Sequence, residues 1–238
     1  IDRWWSLEDK VKLGIIEEEK PVEIDTFSEI VNDISDNLKE FSSLLKEVSE
    51  KKKSISNFTP TTLSDSKYFE LSIGKRVVKR DIVNIIGDIP IYSANVKEPI
   101  GYHNTSCLDD FSSDFVLWGI DGDFEFSVIK KNTPFYPTDH CGVIKIKDDN
   151  ILSEYLLIQL EKAKHIYGFD RGLRSSLKNM KEVKISIPYT KKGILDIEKQ
   201  REIIEKYLYV KELKENIELY KKKISSLQIQ IESISDSK

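Results

Sequence analysis

The last part of the chain has apolar residues spaced as in a coiled-coil helix. From Val210 onward they are separated alternately by three and four residues. They are Val210, Leu213, Ile217, Tyr220, Ile224, Leu227, Ile231 and Ile234. This spacing places them on one side of a helix, as in the seam of a coiled coil. Asp196 to the end is therefore predicted as one long helix, and its apolar stripe requires a packing partner.

A second helix with the same kind of repeat is predicted near the start of the chain. Thr26 and Glu29 have the spacing of a capping box, which marks the beginning of a helix. The apolar positions, alternately four and three residues apart, are Phe27, Val31, Ile34, Leu38, Phe41, Leu45 and Val48. Residues 1–57 are therefore predicted as a helical arm, and the Ser- and Thr-rich residues 58–66 as a linker.

Between the helices the sequence changes to short runs typical of β-strands. Each run is bounded by Gly, Pro, Asn or Asp, residue types that favour turns. The runs are Tyr68–Ile73, Asp81–Ile86, Ile89–Tyr92, Asp114–Gly119, Phe124–Lys130 and Gly142–Lys147. Asp121 and Gly122 are predicted to form a tight primed hairpin turn, because both residue types tolerate positive φ. Trp118, beside that turn, is predicted to lie in the core.

The rest of the middle region combines a helix with a further strand. Helical spacing occupies Ile151–Lys164, and a strand is predicted at Val183–Ile187, ended by Pro188. The predicted fold class is α+β. A twisted, mostly antiparallel β domain with a helix, at 67–190, is flanked by long coiled-coil-like helices, the second at 191–238.

Composition limits the partners and the compartment. No apolar run approaches the ~20 residues of a membrane span, and two cysteines, Cys107 and Cys141, indicate a reducing compartment. We therefore expect a cytoplasmic protein with no membrane partner. The first residue is not Met, which suggests a fragment of a longer polypeptide. The formal net charge is -4, but residues 161–192 contain nine Lys or Arg and three acids.

The chain contains none of the local motifs that would make it a catalyst. It has no Walker A sequence, no Gly-x-Ser-x-Gly and no Gly-x-Gly-x-x-Gly. It also has no Asn/Asp-Pro-Pro-aromatic loop, with which amino-methyltransferases hold the target amine. We expect a chain that is not an enzyme on its own, with no catalytic residues and no cofactor. A metal-dependent nuclease using Asp121 and Asp123 is a weaker alternative, since the predicted turn explains both acids.

A zinc site is the metal alternative. His103, Cys107, His140 and Cys141 are the right ligand types, but they lack the Cys-x2-4-Cys or His-x3-5-His spacing of structural zinc sites. We therefore predict no metal site and interpret the cysteines as ordinary small core residues.

Several short motifs follow one another in a specific order. They are Gly87–Asn95 (GDIPIYSAN), Val116–Gly142, Ile185–Pro188, Asp196 and Gln200. Together they resemble the target-recognition domain of type I restriction-modification specificity subunits. The same module closes single-chain enzymes that fuse a DNA adenine-N6 methyltransferase to its recognition domain, and residues 1–57 resemble the tail of such a methyltransferase. The resemblance implies sequence-specific binding of double-stranded DNA, while a partner methyltransferase that binds S-adenosylmethionine flips and methylates an adenine.

Two groups of residues fit the two needs of a DNA-binding surface. Phosphates require cations and hydroxyl donors, and the candidates are Arg171, Arg174, Ser175, Ser176 and Lys178. Base edges require polar side chains on rigidly held loops, and the candidates are Ser93, Asn95, Tyr102, His103, Asn104, Thr138, Asp139 and His140. Turn formation is an equally weighted explanation for the Asn and Ser residues.

The resemblance leaves two arrangements open, and a rival function stands beside them. The chain is either a half-subunit that dimerises through 196–238 or the C-terminal piece of a fused enzyme, and the methyltransferase-like residues 1–57 favour the second arrangement. Its expected protein partners are a DNA methyltransferase domain or subunit and also a restriction subunit. The rival is an adaptor that binds no DNA and docks partner proteins through its heptad helices, which the negative net charge favours.

Overall fold

The computed structural model describes residues 31–36, 38–40, 42–43, 46, 57–78, 87–121, 124–169 and 173–235. The chain divides into two compact units. One is Ser54–Leu208, and the other combines Ile1–Lys53 with Tyr209–Lys238. The strand predicted at Asp81–Ile86 lies outside the described residues, as do Gly122, Asp123 and Arg171. No described helix is long and apolar enough to cross a membrane.

In the described part of the chain, eight strands are followed by two helices, a ninth strand and a long last helix. They are β1 (Asn57–Thr62), β2 (Phe69–Ile73), β3 (Ile89–Tyr92), β4 (Gly101–His103), β5 (Phe115–Gly119), β6 (Phe126–Ile129), β7 (Tyr136–Pro137), β8 (Cys141–Ile146), α1 (Ser153–Tyr167), α2 (Leu177–Lys181), β9 (Lys184–Tyr189) and α3 (Ile197–Ser235). The α+β fold class is confirmed.

A four-stranded antiparallel sheet in the order β2-β8-β5-β6 forms the centre of the first unit. All five residues of β5 are buried. Val116 and Trp118 pack in one hydrophobic cluster, whereas Phe115 and Leu117 pack in another. Because side chains alternate between the faces of a strand, these two clusters cover opposite faces of the sheet. The prediction that Trp118 lies in the core is confirmed, since it is fully buried.

The β5–β6 hairpin is present, and the register of its two strands bears on the predicted turn. Trp118 pairs with Phe126, and the N–H of Gly119 donates to the carbonyl of Glu125 at 3.1 Å. This register leaves an odd number of residues between paired positions, whereas a two-residue turn requires an even number. A regular two-residue turn does not fit this register, and the predicted turn at Asp121–Gly122 lies partly outside the described residues.

Two smaller sheets complete the β structure. β3 pairs antiparallel with β4 and parallel with β7, and β1 pairs antiparallel with β9. Strand β1 corrects the expectation that residues 58–66 are only a linker. Strand β9 continues through Pro188, which faces Phe58, although a stop had been predicted there. Pro188 is tolerated because a two-stranded sheet leaves each strand one free edge, where a missing N–H costs no ladder bond.

Local bonds fix the helix ends. α1 ends at Gly168, whose φ of 61° suits a glycine C-cap. α3 begins after Asp196, whose carboxylate accepts from the Lys199 N–H at 2.9 Å. One turn later, the buried Gln200 amide donates to Asn150 O and accepts from Leu152 N, both at 2.9 Å. The start of α3 is thereby attached to the segment that leads into α1.

The second unit contains helical residues from both ends of the chain. Residues 31–36, 38–40, 42–43 and 46 are helical, as is α3 beyond Tyr209. Both predicted helices are therefore present where the chain is described. Leu213 of the predicted seam is buried, while Val31, Leu38 and Ile217 are exposed. Coiled-coil pairing along the seam remains a prediction.

Candidate nucleic-acid interface

The end of β5 is the point where four polar loops meet. The hydroxyl of buried Ser175 donates to Gly119 O at 2.8 Å, and the indole N–H of Trp118 donates to Ser175 O at 2.8 Å. The N–H of Ile120 donates to His140 O at 3.1 Å. A Cβ on Gly119 would lie 2.3 Å from Ala94 O, so the loop after β3 also packs against this strand end. The four loops are thus held together by contacts to backbone atoms, from both side chains and the backbone.

One carboxylate joins two of the predicted DNA-contacting residues. Asp121 Oδ1 lies 2.5 Å from Arg174 Nη2, and Asp121 Oδ2 lies 2.6 Å from His140 Nδ1. The side chains of Arg174 and His140 are 64% and 54% exposed, respectively, and that of Asp121 is 26% exposed. The carboxylate therefore lies beneath two side chains that reach solvent.

The structure changes the roles expected for Ser175 and Thr138. Ser175 is buried, and its hydroxyl is used by the end of β5, so it is not placed to contact a phosphate. Thr138 is also buried, and its hydroxyl donates to Ser93 Oγ at 3.0 Å. Both residues hold loops together instead of presenting a polar group.

The segment around α2 contains the other phosphate candidates. The Ser176 hydroxyl caps α2 by accepting from the Asn179 N–H at 3.3 Å, which is a structural use of that group. Lys178 is exposed on α2. Asn179 Nδ2 donates to Arg174 O at 2.8 Å, which fixes the backbone that carries Arg174. The role of Arg171 stays a prediction, because that residue lies outside the described part of the chain.

Most of the remaining base-reading candidates are on or after β4. Tyr102 and Asn104 are exposed, and His103 Nδ1 accepts from the Thr105 N–H at 3.1 Å. A Cβ on Gly87 would come within 2.2 Å of the His103 carbonyl carbon, so a glycine is required for this close approach. β4 pairs with β3, and Ser93 follows β3 directly. The sheet therefore connects these residues to the loops at the end of β5.

Asn95 and Asp139 lie in the loops that the β5 end brings together. Asn95 is exposed, and its Oδ1 accepts from the Lys97 N–H at 2.9 Å. This bond is the turn interaction that the sequence offered as the alternative explanation. Asp139 is half-buried between Thr138 and His140. Base contact by either residue stays a prediction.

The residues weighed for zinc are arranged in a different way. Burial raises the pKa of the Cys141 thiol, which disfavours the thiolate that a metal needs. Cys107 Sγ lies 3.6 Å from Pro137 O, and His140 is engaged with Asp121. Among the described residues, no group of three His, Cys, Asp or Glu is arranged to hold a metal ion.

Asp121 is the member of this site that sequence reasoning missed. Its position was explained by a turn, yet its carboxylate contacts Arg174 and His140. These partners are distant in sequence, so no local spacing could have indicated the contact. The order of the family motifs did identify the loop that ends in His140.

Comparison with known proteins gives a family match over most of the chain. A family model described as the type I restriction modification DNA specificity domain matches residues 67–228. Two Mycoplasma pneumoniae proteins named as type I specificity subunits are similar in sequence. One is 29% identical over 123 residues, which cover 50% of this chain and 50% of the relative. The other is 26% identical over 179 residues, covering 73% of this chain and 71% of the relative.

A solved structure has the same fold. The HsdS subunit from Thermoanaerobacter tengcongensis aligns with a TM-score of 0.50 at 13% identity, covering 89% of this chain and 53% of the solved chain. The present chain thus spans about half the length of that subunit and of the first M. pneumoniae relative.

Proposed function

The chain belongs to the type I restriction modification DNA specificity domain family, and we propose that it binds one part of a double-stranded DNA site in a sequence-specific manner. The family match over residues 67–228 carries this proposal. It favours DNA recognition over the adaptor function that the heptad helices and the negative net charge had left open. It also assigns the chain a specificity role rather than a catalytic one.

The loops at the end of β5 support the proposal. Arg174, His140 and Lys178 are exposed, and the loops that carry Arg174 and His140 are fixed by bonds to buried residues. Rigidly held polar side chains are what base reading requires, and nearby cations neutralise phosphates. The overall charge of -4 does not oppose this role, because residues 161–192 contain nine Lys or Arg against three acids.

The proposal includes partners that act on the bound DNA. A DNA methyltransferase domain or subunit would bind S-adenosylmethionine, flip an adenine from the duplex and methylate it at N6. A restriction subunit would join the same assembly. Because the apolar stripe of α3 requires a packing partner, we propose that two copies associate through 196–238. The alternative arrangement is one recognition domain fused to a methyltransferase.

Selection from random duplex DNA tests the DNA-binding function. The purified chain is incubated with the pool at two salt concentrations, and retained duplexes are sequenced. We expect enrichment of a short motif and an affinity that falls steeply with salt, because phosphate binding releases counterions. Lys178→Ala should weaken binding to all sequences. It should also reduce the slope of log affinity against log salt concentration by about 1.

The matched control is Lys211→Ala. Lys211 is an exposed lysine on α3 that forms an ion pair with Glu215. The substitution should leave DNA affinity unchanged. Retention of no duplex at low salt, both alone and with a candidate methyltransferase added, would contradict the DNA-binding function. Salt-insensitive capture of a protein partner through the heptad helices would then support the adaptor.

A further inference from the structure

The contact between Asp121 and Arg174 changes what the arginine is suited to bind. Their closest atoms are 2.5 Å apart, and the same carboxylate contacts His140 at 2.6 Å. The carboxylate and guanidinium charges cancel, so Asp121 and Arg174 together carry no net charge. Such a group is poorly suited to neutralise a phosphate, which favours uncompensated cations. The charge balance therefore argues against the phosphate-binding role expected for Arg174.

The same contact suits a side chain that reads a base edge. A guanidinium has five N–H donors in a fixed plane, so one contact with Asp121 leaves most of them for another acceptor. Asp121 also restricts the rotation of the arginine, whose backbone is already held by Asn179 and by neighbouring Ser175. A fixed arginine fork is the usual partner of guanine O6 and N7 in the major groove.

His140 offers the complementary hydrogen-bonding group. A carboxylate only accepts hydrogen bonds, so the Nδ1 that faces Asp121 carries a proton. Nε2 is then the ring nitrogen left to face DNA, and it accepts a hydrogen bond whenever it carries no proton. The major-groove edge of a G·C pair offers two acceptors on guanine and the N4 donor of cytosine. Arg174 can supply the donors for guanine and His140 the acceptor for cytosine. Both side chains are held by the Asp121 carboxylate.

We propose that Arg174 and His140 read one G·C base pair of the DNA site through the major groove, with Asp121 as the positioning residue. This inference rests on the proposed DNA-binding function. It reassigns Arg174 from phosphate contact to base recognition. Binding energy from phosphates then comes from other cations, including Lys178, which is exposed on α2.

The test compares base preferences of the full chain and its variants on the selected duplex. Its G·C pairs are replaced one at a time by A·T pairs. We expect the wild type to prefer G·C at one position by about 10- to 100-fold. Arg174→Lys keeps the charge but removes the fork, so it should abolish that preference with an unchanged salt dependence. Asp121→Asn should reduce the same preference, whereas a merely structural role would leave the base profile unaltered.

The control is Asp110→Asn. Asp110 lies on the segment before β5, and its carboxylate is paired with Lys145 of β8. The substitution should keep the wild-type base profile. The inference is overturned if Arg174→Lys weakens binding equally on every duplex, or if Asp121→Asn leaves the preference intact. A wild-type chain that enriches no motif, both alone and with a candidate methyltransferase added, defeats the proposed function itself. A motif that survives both substitutions defeats only the assignment of Arg174 and Asp121.

Discussion

Gly142 shows how one residue fixes the packing beneath the candidate interface. It lies opposite Trp118 in the β5–β8 pairing, and a Cβ there would be 2.0 Å from the indole Cε2. Trp118 is fully buried and donates to Ser175, so the ring cannot move without breaking that bond. We expect Gly142→Ala to lower the free energy of unfolding by about 3 kcal/mol, at the upper end of overpacking costs.

Urea denaturation followed by circular dichroism measures this effect. Glu70→Ala provides the control, because Glu70 is exposed on β2 of the same sheet. It should change the free energy of unfolding by less than about 0.5 kcal/mol. Equal stability of Gly142→Ala and Glu70→Ala would show that the sheet adjusts around the indole.

Residue roles were predictable from the sequence where they follow from a side chain's own chemistry. Trp118 is large and apolar, and it lies in the core as expected. Ser175 was misassigned because its use depends on Gly119, which is distant in sequence. The role of Asp121 depends on Arg174 and His140 in the same way. A single sequence contains no local sign of such long-range bonds.

At the scale of elements, a partly exposed polar cluster attaches α1 to the β5–β6 hairpin. Lys130, after β6, lies 3.0 Å from Asp114, 2.6 Å from Glu154 and 2.8 Å from the Ser153 hydroxyl. Ser153 also donates to Asp114 at 2.6 Å. Burial alone would raise the pKa of Asp114, but hydrogen bonds from Ser153, the Lys131 N–H and Lys130 outweigh it and lower that pKa.

This lowered pKa predicts a loss of stability in acid. A carboxylate whose pKa is lower in the folded state stabilises the fold above its unfolded pKa, and that contribution is lost as pH falls through the folded value. The pKa of Glu154 is lowered as well: burial opposes the shift, but hydrogen bonding to Lys130 outweighs it. We expect Asp114→Asn to cost about 1 kcal/mol near neutral pH and to be less harmful in acid.

Thermal or urea unfolding at about pH 7 and about pH 3 checks this prediction. Ser153→Ala removes one of the bonds to Asp114 and should give a smaller change of the same sign. If Asp114→Asn loses stability in acid as steeply as the wild type, other carboxylates account for the acid sensitivity.

Elements with a clear apolar or alternating pattern were predictable, and those without such a pattern were not. The α3 heptads and the runs that became β2, β3, β5, β6 and β8 were identified from the sequence. β1 was expected to be linker because Ser, Thr and Pro favour turns, and its strand conformation comes from pairing with β9. The five-residue helix α2 is too short to show a helical period.

For the whole molecule, the apolar stripe of α3 leads to a prediction about association. Ile217 belongs to the stripe and is 41% exposed, whereas Leu219 lies off the stripe and is 50% exposed. In a dimer formed through 196–238, only the stripe residue would be buried between copies. Ile217→Asp should therefore convert the dimer to monomer, while Leu219→Asp, an equally polar change, should leave it intact.

Sedimentation equilibrium over a range of protein concentrations distinguishes these outcomes. Association depends on concentration by mass action, so the dissociation constant of each variant can be compared directly. Circular dichroism and DNA affinity should show that the recognition unit, Ser54–Leu208, is unchanged in both variants. A monomeric wild type, or equal effects of the two substitutions, would contradict association through α3. It would favour the arrangement in which one recognition domain is fused to a methyltransferase, because a single copy would then be the functional unit.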